Sequence, residues 1–235
     1  MPNKIHFLLA ILMVMTFQVQ ATPVGFKGDK AGFDAAVGGL SGVSTNILDF
    51  ESVPISAVPE GSTLEGLTFN SNLAPTGFQL GVRGIGSTSD PNSLAVTDDG
   101  GASFGVFGLG DRLDVDFAAS NAFGFFLITG NAGDNFDFFD NDVNVTFGGT
   151  TISIVDADVV TVVGGVDAIW LGLVDDMATH TTASIQFGNP GDSFAAVGEF
   201  DDFTTTRVVS ISEPIMILLF GTGLLGLIGF ARRDY

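Results

Sequence analysis

RLDVDFA, residues 112–118, sets Leu113, Val115 and Phe117 against Arg112, Asp114 and Asp116 in strict alternation. A β-strand turns successive side chains to opposite faces, so this stretch predicts a strand with one face in a core and the other in water. VNVTF, 143–147, follows the same rule, with Val143, Val145 and Phe147 alternating with Asn144 and Thr146. Working outward in both directions, short apolar runs recur about every ten residues between Gly, Asp, Asn and Pro, the spacing of an all-β sandwich or barrel. The pattern places strands at 46–51, 64–70, 77–83, 93–98, 102–107, 112–118, 121–129, 142–147, 150–155, 158–163, 167–174, 182–187, 193–200 and 203–209. Helical spacing occurs in KGDKAGFDAAVGGL, 27–40, through Phe33, Ala36, Val37 and Leu40, and Gly38-Gly39 ends it. The expectation is one all-β sandwich domain, residues 22–211, with a short N-terminal helix. Most of the 23 phenylalanines belong to its core, and the IWLGLV setting of Trp170 reads as core too.

Two apolar segments bracket this domain. Lys4, the apolar run from Phe7 to Phe17 and the small-x-small step Val19-Gln20-Ala21 have the layout of a secretory signal peptide, residues 1–21, cut after Ala21. At the other end, Ile215 to Ala231 carries no charge and is closed by Arg232 and Arg233. A helix of that length covers roughly 25 Å, enough to span a bilayer with little to spare. The paired arginines predict a cytoplasmic tail, with the body across the membrane.

Between Thr22 and Pro214, five basic residues face 26 acidic ones, a formal charge of −21. Such a surface repels nucleic acid and anionic lipid and attracts cations. The chain has no cysteine, which excludes disulfides, thiol catalysis and thiolate metal sites.

The step Ser212-Glu213-Pro214, the Gly- and Leu-rich apolar helix at 215–231 and the terminal Arg232-Arg233 resemble the PEP-CTERM sorting signal, residues 212–235. The family pattern has proline where this chain has Ser212. The resemblance implies a bacterial surface protein delivered by the secretion machinery and processed by an exosortase, a membrane protease-transpeptidase. It also implies association with extracellular polysaccharide, which the family's hosts commonly make. In the body, LDFES, NSLAVTDDGG and VGEFDDFTT resemble jelly-roll ectodomains found ahead of that signal and carbohydrate-binding modules of galactose-binding or laminin-G type. That resemblance implies a structural calcium joining Glu51 to Asp201 and Asp202, with Asp49 as a further ligand. Otherwise these are solvated acids.

GNAGDNFDFFDNDVN, 130–144, is the densest acidic stretch. Asp134, Asp137, Asp140, Asp142 and Asn144 supply oxygen ligands, and Asp140-x-Asp142-x-Asn144 copies the first half of a calcium loop. Val145 and Thr151 stand where an EF-hand needs Gly and a bidentate Glu. The stretch is either a cation site or a charged hairpin loop that protects a Phe-rich strand.

Gly101-Ala102-Ser103-Phe104-Gly105 matches a nucleophile elbow, with Asp175 or Asp176 and then His180 in hydrolase order. The motif needs a helix after the serine, and FGVFGLGDRL is strand-like. The expectation is a non-catalytic, exported surface or matrix protein, the alternatives being a discrete carbohydrate-binding module and, behind it, a secreted hydrolase.

Overall fold

The computed structural model describes residues 22–73, 78–84, 87–89, 92–97, 107–131, 142–155, 158, 160–188 and 198–208. The expected signal peptide, the sorting signal with its helix at 215–231, Ser103, Asp134, Asp137 and Asp140 lie outside these residues. Among the described residues no helix is long and apolar enough to cross a membrane.

The strands form two antiparallel sheets. The nine-stranded sheet runs β1 (Val24–Lys27), β13 (Val166–Val174), β9 (Ala122–Asn131), β15 (Glu199–Val208), β7 (Ser93–Thr97), β6 (Gln79–Arg83) and β3 (Ser56–Val58), with β12 (Thr161–Val163) on β13 and β2 (Val43–Leu48) on β15. The six-stranded sheet runs β11 (Thr150–Ser153), β10 (Val143–Phe147), β14 (His180–Phe187), β8 (Arg112–Ser120), β5 (Leu67–Ser71) and β4 (Ser62–Leu64). The inner faces meet in one apolar cluster. Leu113, Val115 and Phe117 of β8 and Val143, Val145 and Phe147 of β10 face Phe123 and Phe125 of β9 and Phe200 and Phe203 of β15. The rings interlock, Phe107 stacking on Phe187 at 4.1 Å and Phe125 on Phe203 at 5.3 Å. Each fully buried Phe contributes about 1.5–3 kcal/mol of transfer free energy, so a β-sandwich is the arrangement this alternation favours. Lys27 ties one side shut: its Nζ in the nine-stranded sheet donates to the Ser153 carbonyl of the six-stranded one at 3.0 Å and pairs with Asp158 at 2.8 Å.

The helix, α1 (Lys30–Gly38), is capped by Asp29, whose carboxylate accepts from the Gly32 N–H at 2.8 Å. It lies on the outer face of the nine-stranded sheet in a second apolar cluster with Phe126, Ile128 and Trp170. Gly124 and Gly172 are direct partners across β9 and β13. A Cβ on Gly172 would stand 2.6 Å from the Phe33 ring, and one on Gly124 would stand 2.5 Å from Trp170. The two glycines thus make the notch that seats Phe33 against Trp170, their ring centroids 5.0 Å apart. Trp170 is 1% exposed, as its sequence setting implies. Every residue of β13 is buried, because helix and core cover its two faces.

The observed elements differ in detail from the sequence reading. The helix begins at Lys30, because Val24–Lys27 pairs with β13 as a strand. Strands β3 and β4, three residues each, were too short to show a period. The expected strands at 193–200 and 203–209 contain parts of one strand, β15, which runs through the acidic pair at 201–202.

Candidate functional site

The polar groups that the core does not explain gather where β15 is bulged. Phe200 and Phe203 both face the core although three positions apart. One extra residue must therefore be absorbed, and the β15–β9 register shifts between Asp201 and Thr204. Asp202 takes φ 52° there. On the neighbouring strand end, Phe50 takes φ 59° while Leu48 and Phe50 point inward and Asp49 and Glu51 outward. Non-glycine residues in the left-handed region cost of order 1–3 kcal/mol each, and such strain concentrates at functional sites.

Asp201 is fully buried on the outer side of the sheet. Its Oδ2 accepts from the Thr88 N–H and hydroxyl, both at 2.8 Å, and from the Ser89 N–H and hydroxyl at 3.3 and 3.2 Å. Its Oδ1 accepts from the Asp202 N–H at 2.9 Å. Burial, together with the neighbouring Asp202 charge, pushes the Asp201 carboxyl up to about 6 despite these donors. Two residues earlier on β15, Glu199 accepts from the Ser93 hydroxyl at 2.5 Å and stands 3.6 Å from the Arg83 guanidinium. Burial raises it to about 7, against the opposing pull of Ser93 and Arg83 and with a further push from Asp201. Asp202 is also raised, by burial first, with Asp49 and Glu51 adding to it and Thr88 and Lys30 opposing.

The structure brings Asp49, Glu51 and Asp202 into one electrostatic neighbourhood, and the Thr88 hydroxyl stands between Asp201 Oδ2 at 2.8 Å and Asp202 Oδ2 at 3.2 Å. Both Asp201 oxygens accept from hydroxyl and amide donors. Among the described residues no group of three His, Cys, Asp or Glu side chains is placed to hold a metal. Of the candidate ligands in 130–144, Asp142 and Asn144 are described: Asp142 is buried beside β10, its carbonyl accepting from the Gly188 N–H at 2.8 Å, and Asn144 Oδ1 accepts from the Ser153 hydroxyl at 2.6 Å.

The hydrolase motif meets a similar test. Asp175 and His180 do pair, Oδ2 to Nε2 at 2.8 Å. Burial works against the Asp175 charge, but bonds from His180 and the Met177 and Ala178 N–H groups outweigh it and hold the carboxyl below its ordinary value. Ser120, the strand partner of His180, donates to the Ala122 carbonyl at 2.6 Å and accepts from the Thr206 N–H at 2.8 Å. Its hydroxyl is thus committed to backbone groups, and the pair fastens the turn between β13 and β14.

The six-stranded sheet presents the opposite kind of surface. Its outward side chains fall in register across the strands: Thr151, Thr146, Ser184, Asp114 and Asn70 form one row over β11, β10, β14, β8 and β5. Thr182, Asp116, Thr68 and Thr63 form the next. Neighbours bond to each other, Thr146 to Thr151 at 2.7 Å, Thr63 to Thr68 at 2.7 Å and Asn70 to Asp116 at 2.8 Å. Sequence reasoning found the alternation that makes this face but assigned it no role.

No protein-family model matches this chain, and a comparison with curated protein sequences gives no match either.

Proposed function

We propose that the chain is an exported bacterial surface or matrix protein whose jelly-roll-like sandwich is delivered across the membrane and released or transferred by an exosortase-like protease, and which associates there with extracellular polysaccharide without catalysing a reaction. The observation that carries this reading is the pairing of two apolar ends with an acidic body. Residues 1–21 carry the layout of a cleaved leader, 212–235 that of a sorting signal, and the part between them has a charge of −21. The geometry supports it in two ways. Most of the described phenylalanines pack between the sheets, and the acid-histidine pair Asp175–His180 is built into a turn. A lectin-like module relying on an aromatic platform is less well served, since Trp170 lies under α1.

Fractionation of the producing cells, followed by mass spectrometry of both ends of the chain, tests the reading. The expected product begins at Thr22, lacks the tail after the Glu213-Pro214 region and is recovered from the cell surface or medium. A cytosolic product with Met1 and Tyr235 both present contradicts it.

A further inference from the structure

We propose that the end of the sandwich carrying Val24, Met177 and Val208 is a membrane-seating surface that rests on a zwitterionic lipid headgroup layer. This rests on the export reading above and adds the orientation of the tethered domain and the lipid it meets. β1 starts at this end and β15 finishes at it, and the pairing of Val24 with Val174 sets Val24 beside the turn at 175–179. Three of the six large apolar side chains exposed among the described residues stand there: Val24 is 59% exposed, Met177 65% and Val208 54%. Asn121 ties the strand ends together. Its N–H donates to the Thr206 hydroxyl at 2.9 Å, and its side-chain amide donates to the Asp175 and Ala178 carbonyls at 3.0 and 2.8 Å. Asp175 in turn accepts from the Met177 N–H at 3.0 Å. A turn fixed this firmly presents Met177 with little ordering left to do, and apolar side chains held out into water mark an interaction surface.

Chain length selects the occupant. Only residues 209–214 separate Val208 from the uncharged run that starts at Ile215. Fully extended, that link reaches at most about 25 Å, so a bilayer spanned by 215–231 keeps this end of the domain close to its surface. The leader at 1–21 joins the same end, just ahead of β1. Charge agrees with this placement. The connections 39–42, 121 and 148–149 at this end carry no charge, and Asp175 is buried and bonded to His180. Glu65 and Asp176 are exposed acids there, and Arg207, beside Gly66, offsets one of them. The densest acidic stretch leaves β9 after Asn131 and enters β10 at Val143, both at the opposite end. An end so low in charge suits zwitterionic lipid, which an exposed apolar residue can enter at headgroup depth, and its acids disfavour an anionic surface.

The test uses the full chain reconstituted in phosphatidylcholine vesicles that carry a nitroxide-labelled lipid. The chain has no cysteine, so Met177→Cys takes a single fluorescent label, as does Val162→Cys on β12 at the opposite end. The proposal expects quenching of the label at 177 several-fold above that at 162. Val24→Asp and Val208→Asp, introduced singly and together at these exposed positions, should lower the quenching at 177 and leave the melting temperature unchanged. Exchanging part of the phosphatidylcholine for phosphatidylglycerol should weaken it. Quenching at 177 that survives both aspartates comes from the tether alone and overturns the proposal while leaving the export reading untouched. Equal quenching at 177 and 162, or stronger quenching in the anionic vesicles, overturns it as well. A full chain that fails to float with the vesicles overturns the proposal together with the membrane anchor it rests on.

Discussion

The outer faces of the two sheets are built from the same two-residue period and end in opposite states. On the central strands of the nine-stranded sheet, Phe126 and Trp170 are covered by α1, Asp201 by Thr88 and Ser89, and Glu199 is held by Ser93 and Arg83. On the six-stranded sheet the outward residues are short, polar and open. An amphipathic strand needs only one buried face to hold its place. The second burial is therefore extra stabilisation on one side, and its absence leaves the other side in water.

That contrast predicts where substitutions should hurt. The largest effect belongs to Trp170→Ala, which empties the site under Phe33. It should cost about 3–5 kcal/mol, lowering the melting temperature by roughly 10 °C for a domain of this size. Gly172→Val pushes a side chain into the Phe33 ring and should cost about 1–3 kcal/mol, with loss of protection in the helix amides by hydrogen exchange. A Gly172→Val variant with native helix protection would show that the notch does not seat α1. Thr88→Val removes a hydroxyl from buried Asp201 and should cost about 1–3 kcal/mol.

The covered acids also give the two faces different pH behaviour. Glu199 and Asp201 have folded values of about 7 and about 6, above their ordinary ones. The folded state then holds more protons than the unfolded state, so their contribution to stability is complete below about pH 4 and is lost as pH rises through 6 and 7. Asp175, held low, has the opposite sign, and its contribution is lost as pH falls toward and below its ordinary value. Melting scans of wild type and Glu199→Gln from pH 4 to 8 should show a smaller decline in the variant. An equal decline would place the proton uptake elsewhere.

The open face was legible in the sequence because period two alone dictates it: RLDVDFA and VNVTF place Asp114, Asp116, Asn144 and Thr146 without knowledge of any partner. The helix was legible from Phe33 and Val37, but its seat was not. Gly124 and Gly172 become a notch only once β9 and β13 pair in register. The bulge left a trace that the reading passed over. Phe200 and Phe203 are spaced by three, so two core residues on one strand require an extra residue between them. The Asp-Asp pair separates the two expected strands, and the groups that make it tolerable inside one, Thr88 and Ser89, are more than a hundred positions away. Those contacts carry no local signal.

A lysine scan of outward-facing positions, read by melting, tests the division between the faces most directly. The account predicts that lysine at Thr146, Ser184 or Thr68 changes stability by no more than about 0.5 kcal/mol. Lysine at Trp170 or Asp201 should lower the melting temperature by many degrees. Equal destabilisation on the two sheets would contradict it.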